Sequence, residues 1–414
     1  MNGTRVHQIL LVPGFFGFGR FGEISYFNGV ADVLTRALAR QGIAAQVNEV
    51  ATVPTASIRV RAARVLEALE RLQSTTDGPI HIIGHSTGGL DARLAIAPTA
   101  SLPTDRHFTA PERLRTLVTV CCPHFGTPIA TFFCGGWGRA LLRVICSYLV
   151  WLLLTGRLPL RVFLKLGYWI VRVRDPFRKR RTTFDEVYEK LLNDLSEPRR
   201  QELAAFLKAV AEDQSLVFQL TPAGCDLLNA CTAEPNVHYA SVVARAERPS
   251  WRYWLSSVWD LYTQMVHPFY GWLHRLSTRA EVRFIPAPVT KQAQVLEQAY
   301  GRTLALTDSD GLVPTLSQVW GDVIHAARAD HLDVVGQFGR IESDSWAGDW
   351  LPSHSGFDRS QFDALWSDVA RYIATHSERE LPPNGVGTDR TDRDLPDAVS
   401  EAARSELQPA GQKR

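Results

Sequence analysis

An α/β fold, a mostly parallel sheet flanked by helices and interrupted by a large helical insertion, is what this 414-residue sequence predicts. Three observations predict it. Short apolar runs alternate with stripes at helical spacing from residue 8 to residue 120, and such alternation requires a parallel sheet covered on both faces. A glycine-rich turn, Gly84-His85-Ser86-Thr87-Gly88-Gly89, joins one of those runs to a helix. The pattern then breaks at Pro123 and returns only at Val237.

The first strand is Ile9-Leu10-Leu11-Val12. Val30, Val33, Leu34, Ala37 and Leu38 then share one helical face that stops at Gly42. A short strand spans Ala44–Val50, and Ile58, Ala62, Val65, Leu66, Leu69 and Leu72 form a second stripe, ended by Asp77-Gly78-Pro79. Ile80-His81-Ile82-Ile83 is the strand entering the glycine-rich turn and Leu90–Ala97 the helix leaving it, followed by the strand Leu117–Val120. Beyond the interruption, Val237–Ala244, Val282–Ile285, Leu304–Thr307 and Val323-Ile324 read as strands. Phe362, Leu365, Trp366, Val369, Tyr372 and Ile373 mark a last amphipathic helix. After Leu381 there are no aromatics, several prolines and many charges, the composition of a disordered tail. The expected division is a core half at 1–127, a helical cap or lid at 128–236, a second core half at 237–380 with an aromatic-rich insertion near 246–280, and the tail at 381–414.

Composition narrows the class. With 45% hydrophobic and 21% charged residues the chain is an ordinary globular one. A net charge of +2 supplies no dominant basic field and argues against nucleic acid as a partner. The chain enters a core strand directly after Met1-Asn2-Gly3-Thr4-Arg5, with no separate apolar segment to cleave, and its six cysteines form no Cys-x-x-Cys pair. A reduced, cytoplasmic setting is expected, with Cys225 and Cys231 the pair left as candidates for a bridge.

The insertion carries an unusual charge pattern. Val144–Gly156 is uncharged and mostly apolar, yet shorter than the roughly twenty residues that span a bilayer. Arg157, Arg161, Lys165 and Arg172 follow on one side of a helical wheel, and Arg178-Lys179-Arg180-Arg181 adds a basic run. Two readings fit: a segment lying in a lipid interface, as a peripheral membrane contact, or cap helices with solvated arginines. The cluster Trp251, Tyr253, Trp254, Trp259, Tyr262, Phe269, Tyr270 and Trp272 likewise suits an acyl-binding trough, a water–lipid boundary or cap core, and its spacing leaves the choice open.

Chemistry concentrates at the turn. Gly84-x-Ser86-x-Gly88 between strand and helix is the pattern that raises a serine on a strained apex, where a Cβ two residues either side would collide with the adjoining backbone. A serine hydroxyl is a weak nucleophile and needs a base, itself oriented by a carboxylate. The acid is expected in Asp308-Ser309-Asp310-Gly311, after the strand-like Leu304–Thr307. The base is expected in the loop after Val323-Ile324, where His331 stands in His331-Leu332-Asp333; His325 and His354 compete.

These residues resemble a known family, the bacterial true lipases of the Pseudomonas and Burkholderia type, members of the α/β-hydrolase superfamily. The similarity rests on Leu11-Val12-Pro13-Gly14-Phe15, on His85 to Arg93, on Pro123-His124-Phe125-Gly126-Thr127-Pro128, and on Asp310-Gly311-Leu312-Val313-Pro314 with His331-Leu332-Asp333. It covers roughly residues 8–130 and 237–340 and leaves out the cap. The resemblance implies Ser86 as nucleophile, Asp310 as acid, His331 as base, and the N–H groups of Phe15 and Thr87 as oxyanion donors. It also implies cleavage of lipid-like or long-acyl carboxylic esters through an acyl-enzyme, with no cofactor required for the chemistry. A polyester depolymerase of the polyhydroxyalkanoate kind, or an acyltransferase, would use the same residues. A catalytically silent membrane-docking protein on the same scaffold is the alternative of another class. Two departures stand out: Pro13-Gly14 replaces the family's His-Gly, and Leu316 occupies the place of a disulfide cysteine in secreted relatives. The family's structural calcium has two ligand positions matched, by Asp333 and by the carbonyl of Gln337, but residues 287–307 hold no aspartate for the other carboxylate.

Overall fold

Ile9 and Leu11 face one way from the first strand and Leu10 and Val12 the other, and all four are buried. A strand buried on both faces reads as a continuous apolar run, the signature of a central parallel strand. The computed structural model describes residues 5–136 (except 16, 18–19 and 22–23), 213–256, 261–279, 285–339 and 351–377, with isolated positions 138, 141, 208, 212 and 349. The expectations for Val144–Gly156, the basic residues 157–181, Trp259, the strand start at 282–284 and the tail at 381–414 lie outside the described residues.

Six strands form the sheet: β1 (His7–Val12), β2 (Ala45–Glu49), β3 (Ile80–His85), β4 (Leu114–Val120), β5 (His238–Ala244) and β6 (Asp322–Ala327). Their order is β2-β1-β3-β4-β5-β6, every neighbouring pair parallel. Helices α1 (Val30–Arg40) and α10 (Arg359–Thr375) bury their apolar stripes against one face. Helices α2 (Ile58–Thr75) and α3 (Thr87–Ile96) cover the other. Trp366 is completely buried in the first layer, and its indole N–H donates to the Val334 carbonyl at 3.1 Å, which ties α10 to the loop carrying His331.

Six more helices lie between the later strands: α4 (Pro128–Cys134), α5 (Ser215–Gln219) and α6 (Pro222–Cys231) before β5, then α7 (Trp251–Ser256), α8 (Leu261–Ser277) and α9 (Thr290–Tyr300) before β6. Helix α4 packs against α5 and α8, whereas α9 packs on β6. Among the described residues no helix is long and apolar enough to cross a membrane.

Three expectations are corrected. The helix after the glycine-rich turn starts at Thr87 rather than Leu90, because Ser86 is itself its N-cap. Leu304–Thr307 is a turn and not a strand: the Asp308 carboxylate accepts the Ala305 N–H at 2.7 Å and the Asp308 N–H donates to the Ala305 carbonyl at 2.9 Å. Leu304 packs on the α9 cluster and Leu306 is 47% exposed, so the apolar letters there reflect two surroundings. Cys225 and Cys231 do not bridge; Cys225 is buried and Cys231 exposed, and both thiols are free.

Candidate active site

Strand β3 delivers the chain to Ser86, whose φ of 54° and ψ of −130° place it in a region that side chains rarely occupy. The turn closes because its neighbours lack side chains. A Cβ on Gly84 would lie 2.6 Å from Gly88 O and from Gly89 Cα, and one on Gly88 would lie 2.3 Å from Val12 O. Ser86 therefore projects from the apex with its backbone N–H bonded to Val120 O at 2.8 Å, and the strain is held by rigid packing.

His331 meets it from the far half of the chain. Its Nε2 stands 2.9 Å from Ser86 Oγ and its Nδ1 stands 2.6 Å from Asp310 Oδ2. With Nδ1–H donating to the carboxylate, Nε2 is left to accept the serine proton. Asp310 is fixed in turn: its Oδ1 accepts the Leu312 and Val313 N–H groups at 2.9 and 2.7 Å, and its Oδ2 accepts the Gln318 amide at 3.0 Å. Gly311 takes φ 100° in this turn, under the ring of Tyr270. The competing residues are engaged elsewhere. Asp308 is bound by Arg245 at 3.0 Å and Arg302 at 2.6 Å, His325 bonds Asp368 at 2.8 Å, and His354 stacks on Tyr253 at 4.0 Å.

Behind the three residues sits a support that the sequence did not reveal. The ring of His85 bridges the Tyr26 hydroxyl, 2.6 Å from Nδ1, and the His331 carbonyl, 2.9 Å from Nε2. Burial, reinforced by His331, pushes its pKa well below the usual 6.5, so it stays neutral and donates one N–H to that carbonyl. Cys121, at φ 51°, is buried beside Asp310, and burial with that carboxylate holds its thiol protonated. Ligand atoms of His85, Cys121 and His331 come within 4.8 Å of one another. The imidazole nitrogens are already spent on Tyr26, Ser86, Asp310 and the His331 carbonyl, so this grouping is scaffolding for the relay.

Phe15 and Thr87 both border Ser86. A Cβ on Gly14 would come 2.8 Å from Ser86 Cβ, so the Gly14–Phe15 peptide lies directly against the serine. Thr87 opens α3, where first-turn N–H groups have no intrahelical acceptor and the helix dipole presents its positive end. An apolar wall adjoins them. Ile129, Phe133, Val217, Tyr270, Leu273 and Leu351 form its buried part, with Phe15, Phe132, Phe269, Trp272, Leu312 and Leu332 packed against it. The neighbours in sequence of Asp310 and His331 thus pack on one apolar cluster, and the aromatic-rich insertion divides: Tyr270 and Trp272 belong to that cluster, whereas Trp251 and Trp254 on α7 are 68% and 37% exposed.

Of the two expected metal ligands, Asp333 joins Asp330 and Asp349, with one ligand atom from each within 4.8 Å of the others. The Gln337 side-chain amide donates to the carbonyls of Ser25 (3.2 Å) and Tyr26 (3.5 Å), which fixes the residue by its side chain rather than by the carbonyl expected to ligate. Burial raises Asp330 to about 6, and burial with the Asp330 charge pushes Asp333 well above the usual range. Three clustered carboxylates of hard oxygen suit a divalent cation, which would relieve that repulsion. Asp330 was legible in the sequence as the residue before His331; Asp349 was not.

Residues 35–164, less than half of the chain, match the family described as "Putative serine esterase (DUF676)". No curated protein matches the chain. Among solved structures it is similar to a metagenomic carboxyl esterase, with 16% identity, 90% of this chain and 77% of that one covered and a TM-score of 0.43. The Staphylococcus hyicus lipase has 14% identity, coverage of 91% and 98%, and a TM-score of 0.45. The mature Bacillus licheniformis lipase has 11% identity, coverage of 81% and 88%, and a TM-score of 0.39. The parallel strand order and the strained serine between β3 and α3 are those of the α/β-hydrolase fold.

Proposed function

We propose that the chain is a serine carboxylic ester hydrolase acting on lipid-like or long-acyl esters, with Ser86, His331 and Asp310 as its triad. One observation carries the reading: an unbroken relay from Asp310 through His331 to a serine on a strained strand–helix apex. His331 Nε2 takes the Ser86 proton as Oγ attacks the ester carbonyl carbon. The Phe15 and Thr87 N–H groups receive the oxyanion, and imidazolium returns the proton to the departing alcohol. Water, activated by the same imidazole, then cleaves the acyl-enzyme. Asp310 keeps the imidazole in the required tautomer and stabilises its charged form.

The apolar wall beside Phe15, Leu312 and Leu332 supports an aliphatic acyl group, and the four true-lipase motifs support the same substrate class. A lipid surface is the proposed setting. The cap segments that suggested it lie outside the described residues, but α7 presents Trp251, Trp254 and Leu255 outward with Arg252 and carries no acidic residue. Tyr253 pins that helix by stacking on His354 at 4.0 Å. If calcium binds, Asp330, Asp333 and Asp349 would hold it, and it would brace the His331 loop by neutralising the buried acids.

Hydrolysis of p-nitrophenyl esters of graded length tests the reading. Turnover should rise from acetate to medium and long chains. Highest efficiency on acetate would remove the long-acyl assignment, and no hydrolysis of any ester would remove the enzyme assignment.

A further inference from the structure

Arg61 is a charged side chain with no exposed surface, second only to Trp366 in size among the fully buried residues. It lies in the first turn of α2, where the helix dipole disfavours a cation. Its partner Asp91, on α3, is also fully buried, with a closest N···O distance of 2.7 Å, and the second Asp91 oxygen has no hydrogen-bond partner. Burial raises the Asp91 carboxyl to about 6 in spite of the guanidinium beside it. A buried pair of this kind stabilises a fold little more than an apolar pair of equal volume. Stability alone therefore does not account for it. What a guanidinium supplies and an apolar side chain lacks is a rigid fork of five N–H donors.

Those donors converge on one place. Nε bonds Asp91 at 2.9 Å, and Nη1 bonds the carbonyls of Val53 and Pro54 at 2.8 and 3.1 Å. Nη2 bonds the carbonyls of Pro13 at 3.1 Å and Gly14 at 2.8 Å, and the Thr87 hydroxyl at 3.3 Å. The Gly14 carbonyl and the Phe15 N–H belong to one peptide group. In a trans peptide they point in opposite directions, and no described peptide bond is cis. Holding the Gly14 oxygen toward Arg61 therefore aims the Phe15 N–H away from it. The Gly17 N–H also reaches the Gly14 oxygen at 3.0 Å, but from within the same loop, whereas Arg61 ties this peptide to another element. The same nitrogen holds Thr87, the residue bearing the second expected donor.

We propose that Arg61 is the positioning residue of the oxyanion site, locking the Gly14–Phe15 peptide of the β1 loop and Thr87 of α3 into one fixed relation across Ser86. The proposal rests on the ester-hydrolase reading above. It assigns to α2, an element that contributes nothing to the triad, control over where the transition-state charge is received. Arg61 touches no substrate; it acts through two backbone amides whose separation must be set before the oxyanion forms, since preorganised donors cost no rearrangement during reaction.

Two variants test it: Arg61→Lys, which keeps the charge beside Asp91 and loses the fork, and the double variant Arg61→Met/Asp91→Leu, which removes both charges. Loss of a whole oxyanion donor costs about 10²–10³ in kcat, so a misaimed one should lower kcat by roughly 10- to 100-fold in each variant. KM should stay within about threefold, because ground-state acyl binding is untouched, and affinity for a trifluoromethyl ketone should fall by the same factor as kcat/KM. A purely structural role would not produce that parallel. Amide hydrogen exchange at Gly14, Phe15 and Gly17 should speed up at least about tenfold while residues 88–92 keep their protection. Either variant melting cooperatively with kcat within threefold of wild type, or unchanged exchange at Gly14, Phe15 and Gly17, overturns the proposal. Failure of both variants to melt cooperatively would make Arg61 a stability residue and overturn it as well. If the wild type hydrolyses no ester, the function falls, and the exchange measurement still decides the brace.

Discussion

His331 Nε2 lies 2.9 Å from Ser86 Oγ although 245 residues separate them in the chain. The contact is held from three sides. Trp366 anchors the chain just after His331 through Val334, His85 grips the His331 carbonyl, and the His331 N–H donates to the Asp310 carbonyl at 3.1 Å. Each anchor belongs to a different element, so the relay is a property of the assembled sheet.

Ser86 is the proposed nucleophile and sits in a strained conformation. Ser86→Ala should abolish ester hydrolysis and covalent labelling by a fluorophosphonate probe while leaving the melting profile close to wild type. Ser86→Gly should melt higher than Ser86→Ala, by about 1 kcal/mol in stability, because glycine tolerates φ 54° without a Cβ penalty. Labelling that persists in either variant would assign the nucleophile elsewhere.

The two neighbouring aspartates should behave differently. Asp310→Asn should lower kcat by about three to four orders of magnitude, since an amide favours the wrong imidazole tautomer. Asp308 instead anchors Arg245 and Arg302, so Asp308→Asn should shift the melting midpoint and change kcat by only a few-fold. Comparable losses of kcat would show that the assignment of the acid is wrong.

A buried histidine far from the triad sets part of the acid sensitivity. His81 is wholly buried between the ring of His7, 3.1 Å from its Nε2, and the hydroxyl of Thr116, 2.9 Å from its Nδ1. Burial first, then the positive groups His7 and Arg115, push its pKa well below 6.5. Above pH 6.5 both folded and unfolded chains carry it neutral and it contributes no pH dependence. Below pH 6.5 the unfolded chain takes up a proton that the folded one refuses, so stability falls by about 1.4 kcal/mol per pH unit. Urea unfolding should therefore give parallel pH dependences for wild type and His81→Asn above pH 6.5, and between pH 6.5 and 5 a dependence flatter in His81→Asn by up to that amount. Equal slopes below pH 6.5 would contradict the argument.

Calcium should bind the acidic cluster if it binds at all. Millimolar calcium should raise the wild-type melting midpoint, by the equivalent of about 2.7 kcal/mol when the ion is at a hundred times its dissociation constant. Asp349→Ala, which removes one of the three carboxylates, should lose most of that response. A wild-type midpoint indifferent to calcium and to chelator would refute the site.

The exposed face of α7 should govern docking to lipid. Trp251→Ala/Trp254→Ala should weaken co-sedimentation with anionic phospholipid vesicles by at least about tenfold, given about 1.5–3 kcal/mol for a large apolar side chain fully withdrawn from water. Turnover of a dissolved short-chain ester should not change. Vesicle binding as strong as wild type would exclude α7 as the contact.

The sequence by itself determined the strand–helix alternation around the serine, the elbow and the short list of acids and bases. Those features follow from local rules: a doubly buried strand must be apolar throughout, and a strained apex excludes side chains at Gly84 and Gly88. Leu304–Thr307 misled because four apolar-leaning letters do not distinguish a strand from a turn when the deciding contact is the Asp308 carboxylate closing on Ala305. The lipase-like motifs already favoured Asp310 over Asp308 and His331 over His325 and His354; what the tertiary structure added is that Asp310, His331 and Ser86 stand within hydrogen-bond reach of one another. It alone brought Tyr26 to His85, Asp349 to Asp330, and Arg61 to Gly14 and Thr87. Each of these joins residues far apart in the chain through one hydrogen bond or one cluster of charges, and such pairs leave no periodicity behind. A hydrophobic stripe records which face a segment buries; it does not record which polar group waits on the other side.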